Sequence, residues 1–348
     1  MLDLRGYILE DDEREMLSHP LVGGVILFSR NYQDIAQVGE LCRQIHALRQ
    51  PPLLIAVDHE GGRVQRFRQG FSALPPCHCF GELYDEDKLR GLQLAEQAGW
   101  LMAAELLAIG VDFSFAPVLD LDKGISDVIG DRSFHRKPDI ATELARRFIR
   151  GMKAAGMPAV GKHFPGHGSV KEDSHHDIPV DRRRYEDIAM SDLVPFERLI
   201  NAGLPAVMPA HVIYPKIDDK PAGYSAVWLQ NILRQQLAFQ GAIFSDDISM
   251  AGAEVVGSYH DRAVAALHAG CDMVLICNNQ HAAVKLLADL DLTPQPVSQV
   301  RLMRMHGQAS DRSFTDLRKD GQWQSVSKAI TVLERSPELK LGDDEINS

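Results

Sequence analysis

The stretch LLIAVD, residues 53–58, decides the fold of this 348-residue chain. Its first five residues are apolar without alternating polar side chains, and an acid follows them directly. Such runs are typical of parallel strands that are covered on both faces, whereas strands with one face in water alternate polar and apolar residues. The run MVLI at 273–276 has the same character. The sequence therefore predicts a buried parallel sheet.

Short apolar runs alternate with stretches of helical period along nearly the whole chain, without a linker or a low-complexity break. This alternation is typical of consecutive βα units. Eight candidate strands are predicted at residues 2–9, 24–28, 53–58, 111–117, 159–163, 206–209, 242–246 and 273–277. Candidate helices between them include 35–49, 92–109, 140–155, 226–237 and 260–269, and two more helical stretches follow Pro294.

Eight units of this kind favour an α/β fold with a single-domain (β/α)8 barrel of the TIM type. An open, doubly wound sheet fits the same alternation, but no GxGxxG motif follows an early strand. We expect residues 1–335 to form one catalytic barrel and residues 336–348 to form a flexible C-terminal tail.

Composition and charge exclude several classes of partner. The chain has 37 basic and 48 acidic residues, a formal charge of -11, and no basic stripe with interleaved aromatic residues, so a nucleic-acid partner is not expected. No leader-like segment or long apolar run occurs, which predicts a cytoplasmic protein without a membrane partner. Five cysteines without a repeated spacing indicate reduced thiols. Cys77-His78-Cys79 lacks a second ligand pair, so no metal site is predicted there.

Polar side chains stand at or just after the ends of several predicted strands. In a barrel the loops after the strands surround one mouth, so these residues are expected to meet there. They are Asp58, Asp120, Lys162, His163, His211, Asp246 and Asn278.

The segment KHFPGHGSVKEDSHHDIP, residues 162–179, is dense in ionisable side chains and follows an apolar run. Asp173 lies two residues before His175, so its carboxylate is placed to orient the ring and raise its basicity. Histidine titrates near neutral pH and can serve as acid and base in turn. The alternative is a solvated surface loop. Asp246, at the end of a buried strand, is a candidate nucleophile or electrostatic stabiliser, and Asp247 is expected to cap the following helix.

Three arginines, Arg63, Arg66 and Arg132, lie in loops after these strands. Guanidinium groups bind hydroxyls and carboxylates, and a mixed charged pocket suits a neutral ligand with many hydroxyls. For each arginine, an ion pair that holds a loop is an equal alternative.

Five separated motifs closely resemble glycoside hydrolase family 3, in its branch of bacterial cytoplasmic β-N-acetylglucosaminidases of peptidoglycan recycling. They are DHEGGRVQRF from Asp58, KHFPGHG from Lys162, DSH from Asp173, MPAHVIY from Met208 and IFSDDISM from Ile243. The resemblance runs from about residue 2 to residue 279. One departure is His59, which stands where the family commonly has glutamine.

The resemblance implies a single barrel that releases N-acetylglucosamine from the non-reducing end of peptidoglycan fragments, including GlcNAc-1,6-anhydroMurNAc and its peptides. It implies roles in cell-wall biogenesis, cell shape and division, a saccharide or muropeptide substrate, no cofactor and no metal, and a monomer. Asp246 resembles the nucleophile of a retaining double displacement, His175 the acid/base and Asp173 its orienting partner. The residues that resemble the sugar-binding groups are Asp58, Arg66, Arg132, Lys162 and His163.

Three other functions remain open from the residues. A phosphorylase of the same family is one, because a histidine acid/base does not repel phosphate. A metal-dependent hydrolase built on His163, His167, His175 and His176 is the second, although this spacing is not that of HExxH. A sugar-binding protein without turnover is the third, but it would not need the pair Asp173 and His175.

Overall fold

The computed structural model describes residues 1–171, 179–293, 295–308 and 312–334, and strands alternate with helices along them. The strands are β1 (Gly24–Leu27), β2 (Leu54–Val57), β3 (His59–Gly61), β4 (Val64–Gln65), β5 (Phe113–Ser114), β6 (Val160–Phe164), β7 (Ala206–Pro209), β8 (Ile213–Tyr214), β9 (Asp218–Pro221), β10 (Ala242–Asp247) and β11 (Met273–Leu275). The α-helices are α1 (Asp11–Leu17), α2 (Ile35–His46), α3 (His78–Glu86), α4 (Lys88–Leu107), α5 (Pro138–Ala155), α6 (Tyr185–Ala189), α7 (Leu193–Asn201), α8 (Tyr259–Ala269), α9 (Gln280–Asp289), α10 (Pro296–Met303), α11 (Phe314–Lys319) and α12 (Gly321–Glu334). A π-type helix spans Val227–Gln236.

The larger strands form two parallel sheets, in the orders β1-β2-β5 and β11-β10-β7-β6. Every residue of β1, β2, β6 and β7 is buried. The prediction of a buried parallel sheet is thereby confirmed, and the α/β class with it. Two antiparallel hairpins, β3-β4 and β8-β9, are additions at the ends of these strands.

Across the described ranges the parallel strands make two sheets instead of the single closed sheet that was predicted. Single parallel bridges lie between the sheets, from Leu2 to Val25 and Ile276 and from Val118 to Lys162. β5 has only two residues, and the segment after it makes single backbone bonds to β6, such as Val160 N to Ala116 O at 2.8 Å and Lys162 N to Pro117 O at 3.3 Å. A continuous barrel is therefore not confirmed.

The predicted strand at 2–9 is wrong beyond Leu2, which makes only the bridges above. The backbone after Leu2 bonds to side chains and not to a neighbouring strand. Leu4 O accepts from Arg30 Nε at 2.9 Å and from Asn31 Nδ2 at 3.1 Å, and Gly6 O accepts from Asn31 Nδ2 at 2.8 Å. Side-chain donors thus satisfy the carbonyls that a strand partner would have used.

The predicted helices are present as α2, α4, α5, the π-type helix and α8, with shifted ends. Helices α4 and α5 pack unusually closely. A Cβ on Gly99 would stand 2.1 Å from Phe148 O, and one on Gly151 would stand 1.9 Å from Glu96 O, so the backbones touch only because both positions are glycine.

After Pro294 the structure contains α10, α11 and α12, one helix more than the sequence predicted. The expected flexible tail at 336–348 lies outside the described residues. None of the helices in the described ranges is long and apolar enough to cross a membrane.

Candidate active site

The carboxyl ends of β2, β6 and β10 surround a cavity of about 430 Å³. Parallel strands end at the same edge of a sheet, so side chains that follow them in sequence meet in space. Six of the predicted site residues line this cavity, namely Asp58, Arg66, Arg132, Lys162, His163 and Asp246. The structure therefore brings together residues that are up to 188 positions apart, from Asp58 to Asp246.

A buried ion cluster forms the floor of the cavity. Lys162 Nζ lies 2.8 Å from Asp58 Oδ1 and 2.7 Å from Glu60 Oε1. Arg132 holds Glu60 with both branches of its guanidinium, Nε to Oε2 at 2.8 Å and Nη2 to Oε1 at 2.7 Å. Two parallel charge-assisted bonds fix the plane of the carboxylate as well as its position.

The floor residues hold each other in their charged forms. Burial would raise the pKa of Glu60, but Arg132 and Lys162 outweigh it and keep that pKa well below its usual range. Burial would likewise lower the pKa of Lys162, and the carboxylates of Asp58 and Glu60 reverse the direction. A buried charge with its partner removed is costly, so the members of this cluster depend on one another.

Asp58 stands between the floor and the cavity mouth. Its Oδ1 binds Lys162, and its Oδ2 lies 3.7 Å from Arg66 Nη2, which is too long for a hydrogen bond. The guanidinium of Arg66 also lies over the ring of Phe28, 5.5 Å from its centroid. Asp58 and Arg66 can therefore both bind a hydroxyl placed between them.

His163 is oriented by Asp120, a fully buried acid behind the cavity wall. His163 Nδ1 lies 2.7 Å from Asp120 Oδ2, and because an ionised carboxylate only accepts, Nδ1 carries the proton in that bond. Asp120 Oδ1 accepts from the backbone N–H of His167 at 2.7 Å. Burial would raise the pKa of Asp120, but its bonds and the charge of His163 bring the pKa below its usual value. Asp120 thus holds His163 in place from behind and does not itself line the cavity.

The two acids at the end of β10 have different partners. Asp246 lines the cavity, and its Oδ1 accepts from the backbone N–H of Asp247 at 2.8 Å. Asp247 accepts from Ser249 N at 2.9 Å, from Ser249 Oγ at 2.6 Å and from Cys277 N at 3.1 Å. Burial, with a smaller contribution from Asp246, raises the pKa of Asp247 to about 6.

The prediction that Asp247 caps the next helix is wrong. Its side chain closes a turn onto Ser249 and ties the end of β10 to the end of β11. The next α-helix, α8, is capped by Ser258, whose side chain accepts from the backbone N–H of Asp261. The long connection between β10 and α8 is therefore held at its start by Asp247.

The other polar residues at strand ends divide into two groups. Asn278 and Arg63 line the cavity, and Arg63 Nη2 donates to Val128 O at 2.5 Å. His211 stands behind the wall, where its ring stacks on Tyr224 with centroids 5.3 Å apart and its Nε2 lies 3.0 Å from Asp247 O. His211 thus contacts the strand end that carries the acids, not the cavity.

Asp173 and His175, the predicted acid/base pair, lie outside the described residues. The description stops at Lys171, which lines the cavity, and resumes at Pro179, whose carbonyl accepts from Ile213 N at 3.0 Å. Their roles stay predictions.

Sequence reasoning gave no role to Glu60, although it binds both Lys162 and Arg132. A signal was available, because residues two apart on an extended segment point to the same side. Asp58 and Glu60 have that spacing. His59, which stands where the family commonly has glutamine, lies between them and points to the opposite side. Its side chain is buried, with its ring centroid 5.9 Å from that of Phe67 and 5.8 Å from that of Phe71. Burial lowers the pKa of His59 to about 3, so this residue is neutral and remote from the cavity.

The histidines of a metal-dependent hydrolase are only partly described. The rings of His163 and His167 have centroids 6.0 Å apart, and His163 Nδ1 is engaged by Asp120. His175 and His176 fall outside the described residues. Within the ranges that the structure describes, no three His, Cys, Asp or Glu side chains are grouped to hold a metal ion.

Comparisons with known proteins agree on one family. The model of the glycosyl hydrolase family 3 N-terminal domain matches residues 2–305. The β-hexosaminidase of Thioalkalivibrio sulfidiphilus is 57% identical over 341 residues, covering 98% of both chains. The β-hexosaminidase of Thiobacillus denitrificans is 56% identical over 345 residues, covering 99% of this chain and 96% of its own. The structure of NagZ from Neisseria gonorrhoeae in complex with N-trifluoroacetyl-D-glucosamine has a TM-score of 0.92 and 41% identity, covering 96% of this chain and 97% of that one.

Proposed function

The chain belongs to glycosyl hydrolase family 3 and is a β-N-acetylhexosaminidase, and from this premise we propose a retaining enzyme that removes N-acetylglucosamine from the non-reducing end of peptidoglycan fragments. The observation that carries the proposal is the position of Asp246. This acid shares one cavity wall with Asp58, Arg66 and Lys162. A carboxylate beside a set of hydroxyl-binding groups is the arrangement that glycoside hydrolysis requires.

The size of the cavity supports release of one terminal sugar. Its volume of about 430 Å³ is at the lower end of the range for small-molecule sites, roughly 300 to 1,000 Å³. The charged floor of Lys162, Glu60 and Arg132 closes its inner end. The ligand of Neisseria gonorrhoeae NagZ, N-trifluoroacetyl-D-glucosamine, supports an N-acylated glucosamine as that sugar.

The barrel belongs to the same proposal. The single bridges from Leu2 to Val25 and Ile276, and from Val118 to Lys162, lie where the two sheets would join. Leu119 N also donates to Lys162 O at 2.6 Å across one of these junctions. With these links, eight parallel segments would follow one another around a ring, and the cavity would occupy its mouth.

In the proposed reaction, Asp246 attacks the anomeric carbon while His175 donates a proton to the leaving oxygen, so that the glycosidic bond breaks as the carboxylate ester forms. Water then attacks the same carbon, His175 takes its proton, and the ester bond to Asp246 breaks. Two inversions give net retention. Asp173 would favour the protonated imidazole of the first step.

The described chain next to the acid/base pair supports this assignment. His175 is four residues beyond Lys171, which lines the cavity. An extended chain spans at most about 3.3 to 3.6 Å per residue, so four residues allow a reach of roughly 13 Å. That reach covers the mouth of a cavity of this size.

The proposal also covers the natural substrate, the cellular location and the oligomeric state. We expect GlcNAc-1,6-anhydroMurNAc and its peptides to be cleaved faster than an N-acetylglucosamine disaccharide, in a cytoplasmic monomer that acts in peptidoglycan recycling. Release of N-acetylglucosamine from the two purified saccharides, measured side by side, tests the substrate. Faster cleavage of the disaccharide would contradict a recycling substrate while leaving the hydrolase intact.

The test of the mechanism is hydrolysis of an aryl β-N-acetylglucosaminide, followed by NMR of the first-formed anomer. We expect the β anomer, and a loss of turnover of at least about 10⁴-fold in Asp246→Asn, because this change removes the nucleophile but keeps the shape. Asp272→Asn, a buried acid outside the cavity wall, is the matched control and should retain turnover.

The same assay separates the alternatives. An α product, or an active Asp246→Asn variant, would exclude retention through Asp246. Dependence on added phosphate would indicate a phosphorylase, and loss of activity in chelator would indicate a metal-dependent hydrolase. We expect neither effect.

A further inference from the structure

Glu105 of α4 is a buried acid that lies outside the cavity wall, with 1% of its surface exposed. Three donors surround its carboxylate. Oε2 accepts from Ser72 N at 3.0 Å, and Oε1 accepts from Ser72 Oγ at 2.7 Å and from Trp323 Nε1 at 2.9 Å. Burying a carboxylate is costly unless such bonds compensate for the lost water. Glu105 therefore joins the loop that contains Ser72 firmly to helix α12.

A second set of bonds leads from Ser72 to the cavity. Gln65 Nε2 donates to Ser72 O and to Phe67 O, both at 3.0 Å, and Gln65 Oε1 accepts from Leu74 N at 3.0 Å. Gln65 is the last residue of β4, and Arg66, which lines the cavity, follows it directly. The bonds thus run without a break from Trp323 through Glu105, Ser72 and Gln65 to the backbone beside Arg66.

The last two helices support the same loop at other points. Phe314 of α11 packs edge-on against Phe71, with centroids 5.1 Å apart, and Arg318 donates to Gly70 O. Ser327 Oγ of α12 lies 2.9 Å from Ser72 Oγ. Both helices lie beyond residue 305, where the match to the family domain ends.

We propose that Glu105 is a positioning residue for Arg66, and that α11 and α12 hold the 66–74 loop so that Arg66 faces the sugar. The inference rests on the proposed function, in which Arg66 binds the terminal N-acetylglucosamine. A binding group is effective only when neighbouring contacts hold it within a fraction of an ångström of the productive position. The C-terminal helices are thereby part of the substrate-binding apparatus and not only a cover for the core.

The role of Arg66 determines whether a loosened loop changes KM or kcat. If Arg66 binds the sugar equally in the ground state and the transition state, a loosened loop raises KM and leaves kcat nearly unchanged. Glu105→Gln keeps the shape of the side chain but turns an N–H group toward one of the donors. We expect KM for an aryl β-N-acetylglucosaminide to rise about tenfold, with kcat within about twofold of wild type.

Asp112→Asn is the matched control. Asp112 is another buried acid that accepts backbone bonds, from Ile55 N at 2.7 Å and Gly307 N at 3.0 Å, at the amino end of β2. This variant should lose thermal stability as Glu105→Gln does, while its KM stays at the wild-type value. A similar rise in KM in both variants would overturn the inference, since it would reflect general loosening.

A double-mutant cycle with Arg66→Ala tests whether Glu105 acts through Arg66. In that background Glu105→Gln should produce no further rise in KM, because the group that it positions is already absent. An additional tenfold rise would overturn the inference. Trp323→Phe, which removes a single donor, should raise KM about threefold and decides the question if Glu105→Gln does not fold.

The two levels of proposal fail in different ways. If wild type does not hydrolyse the aryl glycoside, the proposed function is wrong. If wild type hydrolyses it and KM of Glu105→Gln and Trp323→Phe is unchanged, the function stands and the positioning role is wrong.

Discussion

The molecule has two cavities at different places, and the smaller one contains the predicted site residues. The cavity at the carboxyl ends of the strands has a volume of about 430 Å³ and is lined by six predicted site residues. A cavity of about 880 Å³ lies beside the starts of β1, β2 and β11, where Gly23, Leu54 and Met273 line it, and none of the predicted site residues is in its wall. Volume alone would select the cavity that contains none of the predicted site residues.

Both cavities contain a buried acid held by two basic side chains. In the larger one this acid is Asp272, whose Oδ2 accepts from Arg234 Nη2 at 2.8 Å and from Ile243 N at 2.9 Å. Its Oδ1 accepts from Ser298 Oγ at 2.6 Å and from Arg301 Nη1 at 3.1 Å. Two bonds to each oxygen use the capacity of this carboxylate within the chain itself.

The corresponding acid in the smaller cavity is Glu60. Two residues nearer the cavity mouth, Asp58 and Arg66, do not use all of their hydrogen-bonding capacity within the protein. Asp58 and Arg66 approach each other only to 3.7 Å. A sugar hydroxyl placed between them would complete bonds that the protein alone leaves long. The comparison teaches that a binding site is marked by remaining hydrogen-bonding capacity that faces a cavity, and not by buried charge or by volume.

Among the variants that compare the two cavities, those that break the two ion clusters should have the largest effect. Glu60→Gln leaves Lys162 and Arg132 buried without their shared carboxylate, and Asp272→Asn does the same to Arg234 and Arg301. Each should lower the free energy of unfolding by about 3 to 5 kcal/mol, measured by urea denaturation. We expect Glu60→Gln also to lower kcat/KM by about 10² to 10³-fold, because Lys162 and Arg132 shift in the cavity floor.

Asp272→Asn should leave kcat/KM within about twofold of wild type, since its cluster faces the other cavity. Equal losses of kcat/KM in the two variants would remove the functional distinction between the cavities. An unaffected Glu60→Gln would show that the floor is structural only.

A smaller effect is expected from exchanging one arginine for lysine in each cavity. Arg66→Lys retains the charge but loses the planar group that lies over Phe28 and reaches toward Asp58. KM should rise about 10- to 30-fold for an aryl β-N-acetylglucosaminide. Arg301→Lys is the partner variant at the larger cavity, and its KM should remain that of wild type. A rise in KM only in Arg301→Lys would move the sugar to the larger cavity.

Much of the fold could be read from the sequence because unbroken apolar runs have few alternatives to a buried parallel strand. β2 and β7 lie where LLIAV and AVMP predicted them. Segment 2–9 was wrongly predicted as a strand because Leu2, Leu4 and Leu9 are buried, as the residues of a strand are, while the carbonyl of Leu4 bonds to the side chains of Arg30 and Asn31. Hydrogen bonds from side chains distant in sequence leave no local pattern.

The wall of the site was predictable because strand ends converge, and Asp58, Lys162 and Asp246 all follow apolar runs. The supports behind the wall were not. Whether Asp120 faces the cavity or His163, and whether Asp247 caps a helix or joins two strands, depends on side-chain directions that the packing decides. Glu105 gave no signal at all, since its partners Ser72 and Trp323 lie 33 and 218 residues away.

The smallest effect concerns the pH dependence of stability at the carboxyl end of β10. Burial raises the pKa of Asp247 from its ordinary value of 3.8 to about 6. Between those two pH values the folded chain binds more protons at this group than the unfolded chain does, so stability from this group falls as pH rises. Asp247→Asn resembles the protonated form and lacks this dependence. We expect the free energy of unfolding of the variant, minus that of wild type, to increase by about 2 kcal/mol from pH 4 to pH 7.

Urea denaturation of both proteins at steps between pH 4 and pH 8 measures this difference. At any one pH, the two proteins also differ in free energy of unfolding because asparagine cannot accept all the bonds from Ser249 and Cys277. The prediction therefore concerns how this difference changes with pH and not its absolute size. Above about pH 7 the difference should become constant, because the carboxyl group is then ionised in both states of wild type. A difference that is flat throughout, or that decreases with pH, would mean that Asp247 is hydrated when the chain is folded.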